Sequence, residues 1–519
     1  MPDVPEKNTQ PTHQSLIDVT EILEQIVDDR GILAQLSEEE SGRLLRAASR
    51  IGFPGRTARR KLTNARRQRR RDDLSKQKER DEQTLNSTGI RTSPNGRVLN
   101  LSAPPAPLQI EDGESAADST SSDLTVHFAQ NCYICKKDYH QLHSFYDALC
   151  PECAATNWEK RHQSVDLLGR YAVVTGGRVK IGFHVALKLL RAGANVVVTT
   201  RFPADGAKRF SEEPDYNEWK TRLQLFGLDL RHTPSVEAFA SHLVSTIPQL
   251  DFLINNACQT VRRPPGFYKH LMDDERRVYA SLGSAQPLLE SYVQLCGKNG
   301  NRDVIEQVPT EVGESLLGIQ QAAELSQLSL TEEDETCGTE VFPQGKMDSD
   351  QQQVDLRSKN SWRLKLAEVS SVELLEVQLV NAIAPFILNS RLKELMDRVP
   401  TRDKHIVNVS AMEGVFYRAF KTDKHPHTNM AKAALNMLTR TSAQDYVKDG
   451  IHMNSVDTGW ITDEDPIEIT KRKKVEMGFS PPLDQIDAAA RILDPIFSGL
   501  ATGEHEWGKF LKDYKVANW

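Results

Sequence analysis

Four cysteines fall in two pairs, Cys132-x2-Cys135 and Cys150-x2-Cys153, with fourteen residues between the pairs. Each CxxC turn can aim two thiolates at one ion. Two such turns complete a tetrahedral four-sulfur shell at Zn–S distances of ~2.3 Å. A closed shell leaves no position for a reacting water, so the chemistry expected of Cys132, Cys135, Cys150 and Cys153 is structural zinc binding. His140 and His143, inside the intervening loop, are the alternative ligands. Tyr133, Tyr139, Phe145 and Tyr146 are expected to form a small core around the ion. Cys258, Cys296 and Cys337 are scattered, and an odd total of seven fits a metal in a reducing compartment better than a disulfide framework.

A second constellation starts at Tyr171. Tyr171-Ala-Val-Val-Thr175 reads as a buried strand. Gly176, Gly177 and Gly182 follow, then an amphipathic helix carrying Phe183, Val185, Ala186, Leu189 and Leu190. The order strand, glycine turn, helix lets backbone N–H groups and the positive end of a helix approach a diphosphate. After the next strand, Val196 to Thr199, the chain reads Thr200-Arg201. An acid there would hold a ribose hydroxyl, whereas an arginine suits a 2′-phosphate. Lys180, inside the glycine turn, adds a cation. The charge pattern favours NADP, with NAD as the alternative.

These residues carry a resemblance. Thr175-Gly-Gly-Arg-Val-Lys-Ile-Gly182 resembles the TGxxxGxG motif of the short-chain dehydrogenase/reductase family, with Lys180 at the middle glycine. Asp229, with Leu230 beside it, is similar to the adenine-contacting acid, and Leu253-Ile-Asn-Asn256-Ala257 to the NNAG motif, with Cys258 for its glycine. Asn381, in Val380-Asn-Ala-Ile-Ala-Pro-Phe, matches the active-site asparagine. Ser410 ends a strand like the family's serine strand, and Lys432 sits in the context of the catalytic lysine. Val456-Asp-Thr-Gly459 resembles the nicotinamide-side loop, with Thr458 for proline.

The resemblance covers roughly residues 168 to 515. It implies an α/β Rossmann-type fold with a doubly wound parallel sheet. It also implies hydride transfer to or from a small-molecule carbonyl, alcohol or enone, and a homo-oligomer formed through the helices around Asn381 and Lys432. The cofactor residues it implies are Thr175, Gly176, Gly177, Lys180, Ile181, Gly182, Arg201, Asp229, Leu230, Asn256, Ala257, Lys432 and Gly459. The catalytic residues it implies are Lys432, Asn381, Ser410 and Thr428.

Thr428 departs from the pattern. The family places a tyrosine four residues before the lysine, one helical turn away on the same face. A phenol titrates near ~10 and an aliphatic hydroxyl is far less acidic, so Thr428 can pass a proton or donate a hydrogen bond but is a weak general acid. Tyr417, His425 and His427 are the substitute donors in the same segment. Arg262 and Arg263 either bind an acidic substrate group or anchor an insertion. The expected function is an NAD(P)-dependent oxidoreductase with a non-standard proton donor. The alternative is an inactive NADP-binding sensor or scaffold.

These groups must be positioned by four segments. Residues 1–81 form a helical, basic extension. Leu16, Val19, Ile22, Leu23, Ile26 and Val27 recur at helical spacing, and Ser37 with Glu40 is a capping-box pair. Residues 82–125 read as a linker, 126–160 as the zinc module, and 165–519 as the Rossmann domain with a long insertion at about 259–365. Within that insertion, 331–355 holds eight acids, one lysine and no strong periodicity.

Arg56 to Arg71 carries nine Lys/Arg and no acid. No aromatic residue interleaves it, so nucleic acid is not an expected partner. A protein partner is expected at the zinc module. A net charge of −7 argues against a general polyanion binder. Met1 to Gln14 is polar, without a signal-peptide pattern, and no apolar run approaches ~20 residues. The expected setting is the cytoplasm, without a membrane, and with the Arg56–Arg71 run as a route to the nucleus.

Overall fold

The computed structural model describes residues 11–92, 124–281, 283–297, 314–338, 340–348, 352–417, 421–462, 464–477 and 480–519. The chain forms two units, Met1–Arg80 and Asp81–Trp519. In the first, helix His13–Asp28 begins at Thr12, whose hydroxyl accepts from the Ser15 N–H, and helix Glu38–Gly52 begins at the Ser37/Glu40 capping box. Neither helix buries a side chain. A 31-residue helix, Arg56–Asn86, starts in this unit and carries the basic run.

The second unit opens on a hairpin. Strands β1 (Thr125–Asn131) and β2 (Asp138–Gln141) pair antiparallel, and helix Pro151–His162 follows. The main sheet is built from β3 (Tyr171–Thr175), β4 (Asn195–Thr200), β5 (Leu223–Gly227), β6 (Phe252–Asn255), β7 (Lys404–Ser410), β8 (Ile451–Asp457), β9 (Phe510–Lys512) and β10 (Lys515–Ala517). Their order is β10-β9-β8-β7-β6-β3-β4-β5. Every neighbouring pair is parallel except β9 with β10.

Val173, Val174, Val197, Val198, Leu253, Ile254, Ile406, Val407 and Met453 are all buried, because helices cover both faces. The chain winds outward from β3 to β5 and then returns across β3 to β6. The crevice between β3 and β6, at their carboxyl ends, is therefore the switch point where such folds bind ligands. This is the doubly wound α/β fold expected.

Four expectations are corrected. Trp507-Gly-Lys-Phe-Leu511 reads in sequence as the last strand, but Gly508 takes a positive φ, β9 starts at Phe510, and a turn through Asp513 and Tyr514, both at positive φ, folds back β10. Residues 82–92 are not linker. The helix continues to Asn86, and the Gly89 and Ile90 N–H groups donate to the Ser144 and Phe145 carbonyls of the cysteine module. The rest of that stretch, 93–123, lies outside the described residues.

The insertion holds regular structure where it is described, including helix Pro265–Ser281, whose Phe267, Tyr268, Leu271 and Met272 pack with Phe202 and Phe342. Its residues 298–313 lie outside the described residues. Finally, the helical stretch Ser371–Arg391 is long and apolar enough to cross a membrane by length and composition. Here it packs against helices Thr233–Thr246 and Pro426–Tyr446.

Candidate nucleotide-binding and catalytic site

Gly176 has φ +68°, and a Cβ there would stand 2.9 Å from Ala257 Cα. A Cβ on Gly182 would stand 2.3 Å from the Gly176 carbonyl oxygen. The turn can close this tightly only without side chains at these two positions. Lys180, where the family motif has glycine, also sits at positive φ, +55°. Its backbone keeps the glycine conformation at a strain of about 1 kcal/mol, and its side chain is gained for the cleft. Asn256 Nδ2 donates to the carbonyls of Thr175 (3.0 Å) and Gly176 (3.2 Å), and the Ala257 N–H donates to Thr175 Oγ1 at 3.0 Å. Thr175 and Asn256 thus brace the turn.

Helix Lys180–Arg191 starts from this turn without a side-chain cap. The first N–H groups of an uncapped helix suit an anion. Here they border a cleft of about 360 Å3 at the carboxyl ends of β3 to β6. Gly176, Lys180, Ile181, Gly182, Arg201, Asp229, Leu230, Asn256 and Ala257 line it. Gly177 packs beneath, where a Cβ would meet Val198 at 2.6 Å. Gly459 is not in the cleft wall; its missing Cβ would stand 2.0 Å from Arg491 Nη1.

Three arginines at the far end differ in what they are committed to. Arg178 is buried, bonded to Asp205 at 2.5 Å and to Gln352 at 2.9 Å. Arg231 bonds to Asp229 at 2.7 Å and Glu376 at 2.8 Å. Burial alone would raise the Asp229 carboxyl, but Arg231 outweighs it and holds it below the usual carboxylate range. Arg201 bonds only to the Tyr268 hydroxyl, at 2.7 Å, and forms no ion pair among the described residues. The start of helix Pro203–Ser211 is taken by Glu275, which accepts from the Ala204 and Asp205 N–H groups. Of the three, Arg201 is the one without a carboxylate partner among the described residues. Sequence reasoning missed Arg178, Arg231 and Tyr268.

The implied catalytic residues sit deeper. Asn381 lies in a π-helical turn, Leu379–Ile383, and its amide bonds both the N–H (2.7 Å) and the carbonyl (3.1 Å) of Gln259. Such turns concentrate at functional positions. Ser410 Oγ donates to Asn436 Oδ1 at 2.6 Å, and Lys432 Nζ donates to the Val409 carbonyl at 2.7 Å. Thr428 stands one turn before Lys432 on helix Pro426–Tyr446, 1% exposed, and its hydroxyl has no hydrogen-bond partner among the described residues. A buried hydroxyl without a partner is costly, and a ligand could relieve it. None of Asn381, Ser410, Thr428 and Lys432 lines the cleft.

His425 stacks on Trp362, ring centroids 3.9 Å apart, and burial pulls its pKa down to about 4. That favours its uncharged ring at pH 7, a weaker proton donor than the imidazolium. His427 faces Glu373 at 3.3 Å, and Tyr417 is exposed. Arg262 is bound by Asp334 at 2.6 Å and Glu376 at 3.0 Å, and Arg263 by Asp355. Both arginines anchor the insertion.

The four Sγ atoms of Cys132, Cys135, Cys150 and Cys153 lie within 4.8 Å of one another, and Cys135 to Cys150 is 3.6 Å. A tetrahedron with Zn–S of ~2.3 Å has edges of ~3.8 Å, so the group fits zinc. Against the effect of burial, the N–H groups of Cys150, Cys135 and Ile134 bring the Cys132 thiol down to about 7, while burial pushes the Cys150 and Cys153 thiols up. His143 instead accepts from the Phe145 N–H at 3.0 Å, and His140 contacts the Val126 carbonyl at 3.0 Å.

Two family models match: short chain dehydrogenase over residues 170–280 and Enoyl-(Acyl carrier protein) reductase over 358–480. An uncharacterized protein of Acanthamoeba polyphaga mimivirus is 32% identical over 383 residues, 70% of this chain and 71% of that one. Dehydrogenase/reductase SDR family member 13 of Bos taurus is 41% identical over 105 residues, 19% of this chain and 27% of its own length. Among solved structures, a Pseudomonas aeruginosa RhlG/NADP complex has a TM-score of 0.40 at 17% identity, covering 67% of this chain and 95% of that one. The chain belongs to the short-chain dehydrogenase/reductase family.

Proposed function

We propose that the protein is an oxidoreductase that binds NADP in this cleft and transfers hydride between the nicotinamide and a small carbonyl, alcohol or enone. One observation carries the reading: an uncapped helix start at one end of the cleft and an uncommitted Arg201 at the other. The first suits the diphosphate and the second the 2′-phosphate. The 2′-phosphate distinguishes NADP from NAD.

When bound, the nicotinamide supplies or accepts the hydride. This chain's residues do the rest. Gly176 to Gly182 and Asn256 hold the diphosphate turn. Lys432, fixed on the Val409 carbonyl, orders the end of β7 beside Ser410. Thr428 offers its hydroxyl to a substrate oxygen, in the place where the family has a phenol. Because that hydroxyl is too weak an acid to donate alone, it serves as one member of a relay ending in water. In a screen of carbonyl, enone and alcohol substrates with NADPH or NADP, turnover is expected, and Thr428→Val should lower it at least about tenfold. The variant should melt no lower than the parent, because the buried hydroxyl it removes is unbonded. Turnover untouched by Thr428→Val would reject this role.

A second reading has its own support. Thr428, Ser410 and Lys432 are all buried, and Gly414 packs so closely on Lys432 that a Cβ would stand 2.6 Å from its carbonyl carbon. A protein that binds NADP and reports it to a partner would need no opening there. Tight binding with no turnover across the screen would favour it.

The cysteine cluster is proposed as a structural zinc site. A homo-oligomer is proposed through the outer face of helices Ser371–Arg391 and Pro426–Tyr446. There Leu375, Ile383, Phe386, Met430 and Met437 are 41–61% exposed, and clustered exposed apolar side chains mark interaction surfaces.

A further inference from the structure

The loop that follows β8 lies where the cofactor cleft closes, and Ile461 and Thr462 line that cleft. Three ties connect this region to the four-cysteine module. Tyr133 sits between Cys132 and Cys135, so the turn that would close on a metal also aims its side chain. Its hydroxyl accepts the Trp460 N–H at 3.0 Å. Asn157, on the module's helix, accepts from Arg491 Nη2 at 3.2 Å, and Nη1 of the same guanidinium donates to the Thr458 carbonyl at 2.9 Å. That bond explains Gly459, whose φ is +81° and whose missing Cβ gives Arg491 room to pass. Finally, Ile461 and Leu483 share one apolar cluster with Tyr146, Leu149, Cys132 and Cys150, and Ile181 of the glycine turn packs against it. The module thus touches both walls of the cleft.

We propose that the four-cysteine module is a positioning element for the nucleotide site, with Tyr133 and Asn157 holding the loop Thr458–Ile461 in its closing position. The proposal rests on the cleft being a dinucleotide site. It gives the module a task inside this chain. Loss of the metal by chelation would loosen the CxxC turn, release Trp460 and weaken nucleotide binding.

The test uses the full chain, its Tyr133→Phe variant and chelator-treated protein. Each is titrated calorimetrically with NADPH, with zinc content read by mass spectrometry and amide hydrogen exchange followed over residues 456–462. Tyr133→Phe keeps the thiols and deletes one acceptor. It should retain zinc and melting temperature, bind NADPH roughly three- to tenfold more weakly, and exchange the Trp460 amide faster. Chelation should weaken binding further. Wild-type, Tyr133→Phe and chelated protein binding NADPH equally would overturn the proposal. A wild type that binds no NADPH would instead sink the cleft reading, and the proposal with it. The exchange rates would then still report whether the module holds the loop.

Discussion

Arg201 and Arg178 are neighbours in the cleft, but their charges are spent differently. Arg178 is neutralised by Asp205, whereas Arg201 meets the Tyr268 hydroxyl and has no ion pair among the described residues. Arg201→Ala should therefore weaken NADPH binding by about ten- to a hundredfold, the worth of one charge-assisted bond to phosphate, and leave NADH binding nearly unchanged. Paired calorimetric titrations check this. Equal losses for both nucleotides would place the 2′-phosphate elsewhere.

At this scale the sequence was informative where motifs are local. The glycine turn, Asn256, Ala257 and the two CxxC pairs were visible because their partners lie within a few residues or in a fixed motif order. Tyr268 beside Arg201, and Glu376 beside Arg231, were not. Both contacts join positions 67 and 145 residues apart, and no local pattern encodes them. The motif order marks Asp229 as similar to the adenine-contacting acid, and only the fold shows its carboxylate bonded to Arg231.

Strands β7 and β8 carry a second buried polar group at their other end. His405 and His452 pair in register, and His405 Nε2 lies 2.9 Å from His505 Nδ1. Burial lowers all three, His405 the most, with the other two rings adding to its shift. Free histidine titrates near ~6.5, so the unfolded chain takes up these protons first as pH falls. The stabilisation is complete above about pH 6.5 and is lost below it, because the unfolded state then binds more protons. Melting temperature should fall between pH 7 and 5.5, and less steeply in His405→Gln. A flat profile in the parent would show that the rings protonate without cost. Element order was legible from alternating strand and helix patterns. The β9–β10 hairpin was not, because its turn uses Asp513 and Tyr514 at positive φ rather than glycine.

The whole molecule combines a Rossmann body, a cysteine module braced on its cofactor loops and an N-terminal helical unit whose apolar residues are exposed, Leu16, Val19 and Ile22 among them. The insertion was legible as an interruption, and it falls where the two family models leave a gap, 281–357. Its contribution to the cleft through Tyr268 was not legible. If the outer face around Phe386 covers a second copy, Phe386→Glu should shift the sedimenting species toward monomer with the fold intact by circular dichroism. An unchanged oligomer would assign that face another role.

In the proposed complex the backbone from Gly176 to Gly182 wraps the diphosphate of a nicotinamide dinucleotide. Calorimetry of the full chain with NADPH tests it most directly. Saturable one-site binding in the micromolar range or tighter is expected, lost in Gly182→Ala, whose Cβ would collide with the Gly176 carbonyl. No saturable heat with NADPH, NADP, NADH or NAD would contradict it.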